Sequence, residues 1–284
     1  MITAAANRSA GYQVQLKDNE FRLLQRLFFD LVGIQLPDIK KSLVSGRLAK
    51  RLSALSLDSY MAYYQLLLSG QGQHERSIAI DLITTHETYF FREPRHFAFL
   101  EKQILPRLRP GQPFRAWSAA ASTGEEAYSL AMVLDRLLPG RDWQLCGTDI
   151  SEPVLAKARR GLYPMSRGEQ IPAALLKRYC LKGKDRYEGC FLVNKALREK
   201  VNFQPWNLTL PAPQLGQFNL VLLRNVLIYF DADTKHKVLN NVIDRLAPGG
   251  CLMLGHSEAL HESCLPLEQL ASSIYRKVGT PKAP

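Results

Sequence analysis

The sequence has few cysteines and no apolar run long enough to span a membrane. Its five cysteines are odd in number and lack the paired spacing of a zinc site or a disulfide framework: Cys146, Cys180, Cys190, Cys251 and Cys264. The first nine residues carry no basic stretch followed by an apolar run, so we expect neither a signal peptide nor a transmembrane helix there. These absences favour a protein of the reducing cytoplasm that does not insert directly into a membrane.

Acidic residues are scarce relative to basic ones, with 26 Asp and Glu against 37 Lys and Arg in 284 residues. The formal net charge of +11 predicts an acidic partner, which by charge alone could be a nucleic acid, an anionic membrane surface or an acidic protein. A solvated basic surface without such a partner stays open as the alternative. The histidines show no ligand spacing, so no metal site is predicted: His74, His86, His96, His236, His256 and His261.

Residues 18–85 show the apolar periodicity of amphipathic helices. The first helix is expected to begin with Asp18 as its N-cap and to end at Gly33. A second, over residues 38–55, carries apolar residues on one face and basic residues on another. Further helices are expected over residues 59–68 and 75–83, which predicts a small all-α domain at residues 1–85. The basic residues of the second helix are Lys40, Arg47, Lys50 and Arg51.

After about Phe91 the pattern alternates between strands and helices, which predicts a mostly parallel sheet covered by helices. Strands are expected at residues 114–118, 143–148, 201–204, 218–223 and 251–255, and helices at residues 125–138, 152–159 and 232–246. Residues 161–200 interrupt this order, with a short helix at residues 173–178 and a hairpin around residues 189–193. A segment of that length is uncommon as a mere connection, so it is interpreted as an inserted subdomain.

The first strand of this sheet runs into a loop of small residues, 119–124, before the next helix begins. Small side chains let the backbone approach a ligand closely, and nucleoside cofactors bind at this loop of a doubly wound sheet. Glu125 and Glu126 follow the loop, and no Lys-Ser or Lys-Thr phosphate cradle is present, which argues against a P-loop. The pattern favours a cationic cofactor without phosphates, such as S-adenosylmethionine. Alternatively, either glutamate is a solvated residue of the first helical turn.

Polar residues also follow two later strands. Asp149 ends the second strand, at the distance along the chain expected for a ribose ligand. Its alternative role is to cap the following helix, which Ser151 could do equally well. Arg224 and Asn225 follow the strand at residues 218–223, where buried polar groups need partners. A helical turn after them would bring the hydroxyl of Tyr229 towards the same edge, although Tyr229 alone is more typical of a packed aromatic.

Five segments, in order across most of the chain, resemble those of the CheR-type chemotaxis receptor methyltransferases. They are Thr85-His-Glu-Thr-Tyr-Phe-Phe-Arg92, Trp117-Ser-Ala-Ala-Ala-Ser-Thr-Gly-Glu-Glu-Ala-Tyr-Ser129, Thr148-Asp149-Ile, Asn207-Leu208 and Arg224-Asn-Val-Leu-Ile-Tyr-Phe-Asp231. The resemblance implies an α/β fold in which an all-α N-terminal domain, residues 1–85, precedes a Rossmann-like S-adenosylmethionine-dependent methyltransferase domain, residues 86–284. It also implies that residues 161–200 form a small β-subdomain inserted in the second domain.

The same resemblance implies an activity. Members of this family transfer a methyl group from S-adenosyl-L-methionine to glutamate carboxylates of bacterial chemoreceptors, which forms methyl esters and S-adenosyl-L-homocysteine during sensory adaptation. Arg92 and Tyr229 are implied to lie near the transferred methyl as catalytic residues. The implied cofactor contacts are His86, Thr88, Arg92, Glu125, Asp149, Asn207, Leu208, Arg224 and Asn225.

Two positions depart from the family's usual pattern, which has Asn where His86 stands and Pro where Ala127 stands. A side-chain amide offers a donor and an acceptor, whereas a neutral imidazole offers one of each at a different reach, so the contact at His86 is expected to be altered. Ala127 lies in the first turn of a helix, where Pro is tolerated but not required.

The family's receptors are acidic helical rods in the cytoplasm, which implies that Lys40, Arg47, Lys50 and Arg51 contact them. In relatives the β-subdomain can add a strand to a peptide at the receptor C-terminus, and a hairpin around Gly189 is compatible with that role. Two rival functions are compatible with parts of the sequence. A nucleic-acid methyltransferase would suit the basic charge, but basic residues interleaved with stacking aromatics are not evident, so no nucleic acid is expected. The second rival is an adaptor that binds the cofactor without turnover.

Overall fold

The computed structural model describes residues 14–260 and 265–278, and the chain divides into two compact units, Met1–Thr85 and His86–Pro284. The predictions made for the first nine residues, for His261 and for Cys264 lie outside the described residues. Within them, no helix is both long enough and apolar enough to cross a membrane.

The described part of the N-terminal unit contains four α-helices and two short 3₁₀ turns; the α-helices are α1 (Asp18–Val32), α2 (Lys41–Ala54), α3 (Tyr60–Leu68) and α4 (Gln73–Ile83). The apolar residues that recur along these helices meet in one core, in which Leu24, Val44 and Tyr63 are fully buried. The helical periodicity of the sequence is therefore confirmed. Gly33 ends α1 in the left-handed conformation, with φ of 73°.

The N-cap prediction for α1 was wrong. Lys17 occupies the cap position, and its backbone N–H donates to the Oε2 atom of Glu20 at 2.9 Å. The other oxygen of Glu20 accepts from the N–H of Met61 at the start of α3, also at 2.9 Å. Asp18 is the first helical residue and pairs with Lys41 of α2. The carboxylate that caps α1 is thus that of Glu20, the third residue of the helix, and it also accepts a hydrogen bond from the start of α3.

The second unit contains a seven-stranded mixed sheet with strand order β6-β2-β1-β7-β8-β10-β9. All neighbours are parallel except β10, which runs antiparallel to both β8 and β9. Because β1 lies between β2 and β7, the chain turns in opposite directions on its two sides, which is where ligands bind in such sheets. The strands are β1 (Phe114–Ser118), β2 (Trp143–Asp149), β6 (Val201–Pro205), β7 (Phe218–Leu223), β8 (Leu246–Leu254), β9 (Leu267–Ala271) and β10 (Ile274–Lys277).

Five α-helices accompany these strands in the described residues: α5 (Pro94–Phe99), α6 (Glu125–Leu137), α7 (Glu152–Arg160), α9 (Lys195–Arg198) and α10 (Ala232–Asp244). Of these, α6, α7 and α10 were predicted by the alternating pattern, whereas α5, before β1, and α9, before β6, were not. Leu130 on α6, Leu155 on α7 and Leu220 on β7 are fully buried in the core. The C-terminal hairpin of β9 and β10 was not predicted from the sequence. Its outer strand, β9, has neither face fully buried, and its residues therefore do not alternate clearly between apolar and polar.

A separate antiparallel sheet of three strands lies within residues 161–200, where the sequence predicted a helix and a hairpin and the resemblance implied a β-subdomain. Its strands β3 (Leu162–Pro164), β4 (Cys180–Lys182) and β5 (Cys190–Val193) are ordered β3-β5-β4, and α8 (Ala173–Tyr179) precedes β4. The predicted hairpin is the pair β4 and β5, with Gly189 at φ of 78° before β5. Tyr163 and Phe191 pack against Phe90, which joins this sheet to the core of the unit.

Candidate active site

The loop after β1, residues 119–124, is held between two strands at the carboxyl edge of the large sheet. The N–H of Ala119 donates to the carbonyl of Leu222 and the N–H of Ala121 to that of Thr148, both at 2.8 Å. Gly124 adopts φ of 95°, and a Cβ atom there would lie 2.9 Å from the Cβ of Ala158. Only glycine therefore permits this close approach of the loop to α7.

Asp149 lies at the end of β2, where its carboxylate is bound by backbone donors. Its Oδ2 accepts from the N–H of Ser122 at 2.9 Å, and its Oδ1 accepts from the N–H of Ser151 at 3.0 Å. Burial raises the pKa of this carboxyl, and the two N–H bonds oppose that change. The cap of α7 is the hydroxyl of Ser151, which accepts from the N–H of Val154. Asp149 is thus fixed against the loop rather than used as the helix cap.

Glu125 begins α6 and is 1% exposed, so it is not the solvated residue of the alternative interpretation. Its Oε2 accepts from the hydroxyl of Thr123 at 2.6 Å, and its Oε1 lies 3.7 Å from Nη1 of Arg167. Burial raises the pKa of Glu125, an effect that the hydroxyl bond and the arginine partly oppose. The same Arg167 guanidinium donates to the carbonyl of Thr88, one of the implied cofactor contacts. A buried carboxylate here suits a cationic ligand group.

Arg224 is buried at the carboxyl end of β7 with 1% of its side chain exposed. Its Nη1 lies 3.2 Å from Oε2 of Glu126, and its Nη2 lies 3.5 Å from Oε2 of Glu93 and donates to the carbonyl of Arg92. The other oxygen of Glu126 accepts from the hydroxyl of Ser118 at 2.7 Å. The side chain of Glu126 is 11% exposed, and its burial raises its pKa while Arg224 lowers it.

Several atoms of this cluster are buried without a hydrogen-bond partner: Arg224 Nε and Nη1, Glu93 Oε2 and His96 Nδ1. The contact of Nη1 with Glu126 is close enough for an ion pair but not aligned as a hydrogen bond. Burial, aided by the Arg224 cation, lowers the pKa of His96 to about 4, so its imidazole is neutral near pH 7. Buried polar atoms with unused bonding capacity are typical of a site that a polar ligand completes.

The two residues implied to lie near the methyl group are both half-buried. Arg92 donates from Nη1 to the carbonyl of Glu87 at 3.1 Å, and its guanidinium lies 5.5 Å from the ring centre of Tyr89. Tyr229 ends the 3₁₀ turn Leu227–Tyr229 that follows β7. The structure thus contains the short turn that was predicted between Asn225 and Tyr229.

The remaining implied contacts are held by backbone bonds. The carbonyl of His86 accepts from the hydroxyl of Ser122 at 3.1 Å, a bond that does not depend on the side chain at position 86. Asn207 follows β6, and its Oδ1 accepts from the N–H and the hydroxyl of Thr209 at 3.0 and 2.9 Å. The carbonyl of Leu208 accepts from the side-chain amide of Asn241.

Two residues that sequence reasoning missed belong to this site. Arg167 lies in the irregular segment 161–200, and Glu258 follows β8 and accepts from the backbone of Asn225. Neither shows a local signal, because each acts on residues far away in the sequence. Within the described residues, no group of three or more His, Cys, Asp and Glu side chains is placed to hold a metal ion.

The basic residues predicted to bind a receptor differ in their surroundings. Arg47 donates to the carbonyls of Leu82, Ile83 and Thr84 at the end of α4, at 2.9 to 3.1 Å. Arg51 forms a two-bond ion pair with Glu75 at 2.9 and 2.7 Å. These two arginines tie α2 to α4, whereas Lys40 and Lys50 are exposed.

Comparison with known proteins gives two family matches that together span most of the chain. Residues 19–84 match the all-alpha domain of CheR methyltransferases, and residues 86–275 match the SAM binding domain of CheR methyltransferases. The chemotaxis protein methyltransferase of Escherichia coli K12 is 40% identical over 254 residues, which cover 87% of this chain and 86% of that protein. Chemotaxis protein methyltransferase 2 of Pseudomonas aeruginosa is 36% identical over 259 residues, with 90% and 92% covered. That of Borreliella burgdorferi is 32% identical, with 93% and 96% covered.

Proposed function

The chain belongs to the CheR methyltransferase family, and we propose that it methylates glutamate side chains of bacterial chemoreceptors to form glutamyl methyl esters during sensory adaptation. It is an S-adenosylmethionine-dependent methyltransferase with a Rossmann-like catalytic domain. The proposal concerns the chemical nature of the acceptor and the residues that position both substrates.

One observation carries the proposal: two buried carboxylates, Asp149 and Glu125, flank the loop at the carboxyl edge of the sheet. Asp149 suits the ribose hydroxyls, since its oxygens are aimed by N–H donors at the edge of the loop. Glu125 suits the amino group of the methionine part, because a cation there replaces the solvation that burial removed. The buried atoms of Arg224 and Glu93 that form ion pairs but no hydrogen bonds further support a polar ligand at this edge.

When bound, S-adenosylmethionine supplies an electrophilic methyl group on a sulfonium centre. A glutamate side chain is ionised near pH 7, so the acceptor needs no general base from the enzyme. Catalysis then rests on alignment of carboxylate oxygen, methyl carbon and sulfur, and good orientation of this kind can lower a barrier by about 7 to 11 kcal/mol. The residues of the site therefore act by holding and orienting.

We assign Arg92 and Tyr229 to the acceptor side. The guanidinium of Arg92 has five N–H donors, and its bond to Glu87 uses one of them, so it can still make the paired bonds that a carboxylate accepts. Tyr229 would assist by hydrogen bonding from the turn after β7. An ion pair that is too tight would stabilise the ground state and slow transfer, so the role of Arg92 is expected to be orientation rather than strong binding.

Receptor docking is proposed for α2 and the turn before it. Lys40 and Lys50 are exposed cations on this element, and an acidic helical rod is their complementary partner. Strand β4 is an edge of the small sheet, and Leu181 on it is 58% exposed. This edge could accept a receptor C-terminal peptide as an added strand. A cytoplasmic location follows from the same proposal, because these receptor domains are cytoplasmic.

The decisive experiment transfers radiolabelled methyl from S-adenosylmethionine to receptor-containing membranes and then treats the product with mild alkali. The proposal expects label on the receptor that alkali releases as methanol, since carboxyl methyl esters are alkali-labile. Alkali-stable label on RNA or protein would redirect the assignment. Cofactor binding without transfer to receptors would instead favour an adaptor.

A further inference from the structure

Glu258 lies in the loop after β8, and its side chain is almost fully buried, with the residue 6% exposed. Its Oε2 accepts from the backbone N–H of Asn225 at 2.6 Å and from that of Gly255 at 2.8 Å. Its Oε1 accepts from the N–H of Leu227 at 2.8 Å and from that of Ile228 at 3.4 Å. One carboxylate therefore receives donors from both the end of β8 and the segment that follows β7.

The segment after β7 needs such an acceptor because its backbone departs from the strand. Asn225 has φ of 56°, in the left-handed region, which costs energy for a residue with a side chain although asparagine tolerates it better than most. The turn Leu227–Tyr229 begins two residues later, and the first N–H groups of a helical turn have no partner within it. Glu258 accepts from the donors of Asn225, Leu227 and Ile228 and so compensates both features.

Gly255 is the second part of this arrangement. A Cβ atom at this position would lie 2.5 Å from Oε2 of Glu258, 2.8 Å from Nδ2 of Asn225 and 2.9 Å from the backbone nitrogen of Asn225. These distances are too short for any real Cβ contact, so only glycine lets the carboxylate and Asn225 converge here.

We propose that Glu258 is a positioning residue for methyl transfer, which sets Asn225 through its backbone N–H and Tyr229 through the N–H groups of the turn that carries it, without touching the cofactor or the acceptor. The inference rests on the proposed function, which assigns Asn225 to the cofactor and Tyr229 to the acceptor. A carboxylate is required because it can accept four N–H bonds with two oxygens. A glutamine offers one oxygen and turns an NH₂ donor towards the remaining N–H groups.

The test compares Glu258→Gln and Gly255→Ala. The first replaces one acceptor oxygen of these bonds by an NH₂ group, and the second adds a methyl group that displaces the carboxylate. Each variant is expected to raise the Kd for S-adenosylhomocysteine about tenfold through Asn225 and to lower kcat about tenfold through Tyr229, the size of effect that unmet buried donors produce. The KM for the receptor should stay unchanged, since receptor docking uses other residues. Glu268→Gln is the matched control: Glu268 pairs with Arg276 at the surface of β9 and β10, and this variant should behave as the wild type.

The double variant tests whether both changes act through one group. Because Gly255→Ala displaces the carboxylate that Glu258→Gln removes, the double variant should be no worse than the more severe single variant. Additive losses would overturn the proposal. So would a folded Glu258→Gln enzyme with the Kd and kcat of the wild type, because a purely structural residue changes the melting temperature alone.

Amide NMR on the full chain monitors the N–H groups that donate to Glu258 directly. The amide protons of Asn225, Leu227 and Gly255 are expected to shift in Glu258→Gln but not in Glu268→Gln, and unchanged shifts would contradict the proposal. This readout and the Kd do not depend on the acceptor. A wild-type protein that binds cofactor but leaves receptors unmethylated would therefore refute the proposed acceptor, while these two measurements still decide the role of Glu258. If Glu258→Gln does not fold, Gly255→Ala decides alone by the same Kd, kcat and amide shifts.

Discussion

Arg224 and Glu126 form a buried ion pair at the carboxyl edge of the large sheet, with Nη1 and Oε2 3.2 Å apart. The side chains are 1% and 11% exposed, so water screens the pair little. Ser118 holds the other oxygen of Glu126, and Glu93 approaches Arg224 from the segment before α5. The pair thus joins β7, α6 and the segment before α5 at one point of the site.

Removal of Glu126 should destabilise the second unit. In Glu126→Ala the Arg224 cation stays buried and keeps the carbonyl of Arg92 and the more distant carboxylate of Glu93, and loss of one member of a buried pair costs about 3 to 5 kcal/mol of the free energy of unfolding. Urea unfolding measures this quantity. Glu101→Ala breaks the half-exposed pair with Arg136 and should change the free energy of unfolding by less than about 1 kcal/mol. Equal losses in the free energy of unfolding would show that the Arg224–Glu126 pair stabilises the fold no more than the half-exposed pair does.

His96 should make the protein less stable in mild acid. The pKa of His96 is about 4 in the folded protein, against an ordinary value near 6.5. Burial is the main cause, the positive charge of Arg224 and the neighbouring His256 lower the pKa further, and Glu93 opposes the shift. As the pH falls below 6.5, the unfolded chain takes up this proton first. The stabilising contribution is therefore present above pH 6.5 and is lost progressively down to pH 4, by up to roughly 3 kcal/mol.

Urea unfolding at pH 7, 5.5 and 4.5 checks this dependence. His96→Gln should lose less of its free energy of unfolding between pH 7 and 4.5 than the wild type does. His236→Gln, on the exposed face of α10, should keep the wild-type slope. An unchanged slope in His96→Gln would assign the acid sensitivity to other groups.

Asp149→Asn should weaken cofactor binding without a large change in fold. An asparagine keeps one acceptor oxygen but turns an NH₂ group towards the N–H of either Ser122 or Ser151. The Kd for S-adenosylhomocysteine, measured by calorimetry, should rise roughly 10- to 100-fold, the size expected for bonds to a charged group. Glu152→Gln alters a nearby exposed carboxylate and should leave the Kd unchanged. A wild-type Kd in Asp149→Asn would remove Asp149 from the cofactor site.

Charge reversal should separate docking from stability in the N-terminal unit. The double variant Lys40→Glu and Lys50→Glu is expected to lower the rate of receptor methylation several-fold and to flatten its salt dependence, with the Kd for the cofactor unchanged. Lys237→Glu on α10 changes the same charge at an exposed site and serves as the control. Methylation that is insensitive to both changes would place the receptor elsewhere.

Arg51→Glu should instead lower the free energy of unfolding of this unit. Glu75 is buried, which raises its pKa, but the bonds from Arg51 and Tyr63 outweigh this effect and the pKa is lowered overall. Glu75 therefore stabilises the fold above its ordinary pKa and loses this contribution as the pH falls through its lowered value. Circular dichroism during thermal unfolding should show a lower Tm for Arg51→Glu than for Lys50→Glu, and equal Tm values would contradict the assigned ion pair.

Local patterns in the sequence determined the helices of the N-terminal unit and the central strands and helices of the second unit. Strand β1 has the bounds that were predicted, and α6 differs from its prediction by one residue at its end. These elements could be predicted because hydrophobic periodicity and the small residues of the loop are properties of neighbouring positions. The ends of β1, β2 and β7 also indicated where polar side chains meet, since parallel strands bring their carboxyl ends to one edge.

Only the tertiary structure decided which partners those side chains have. Arg167 reaches Thr88 across 79 positions, and Glu258 reaches Asn225 across 33, so no local pattern records either bond. The same holds for Arg47, which a helical wheel places on a basic face but which caps α4 through three carbonyls. A sequence encodes periodicity within each element, whereas the satisfaction of buried charges and N–H groups depends on which elements fold against each other.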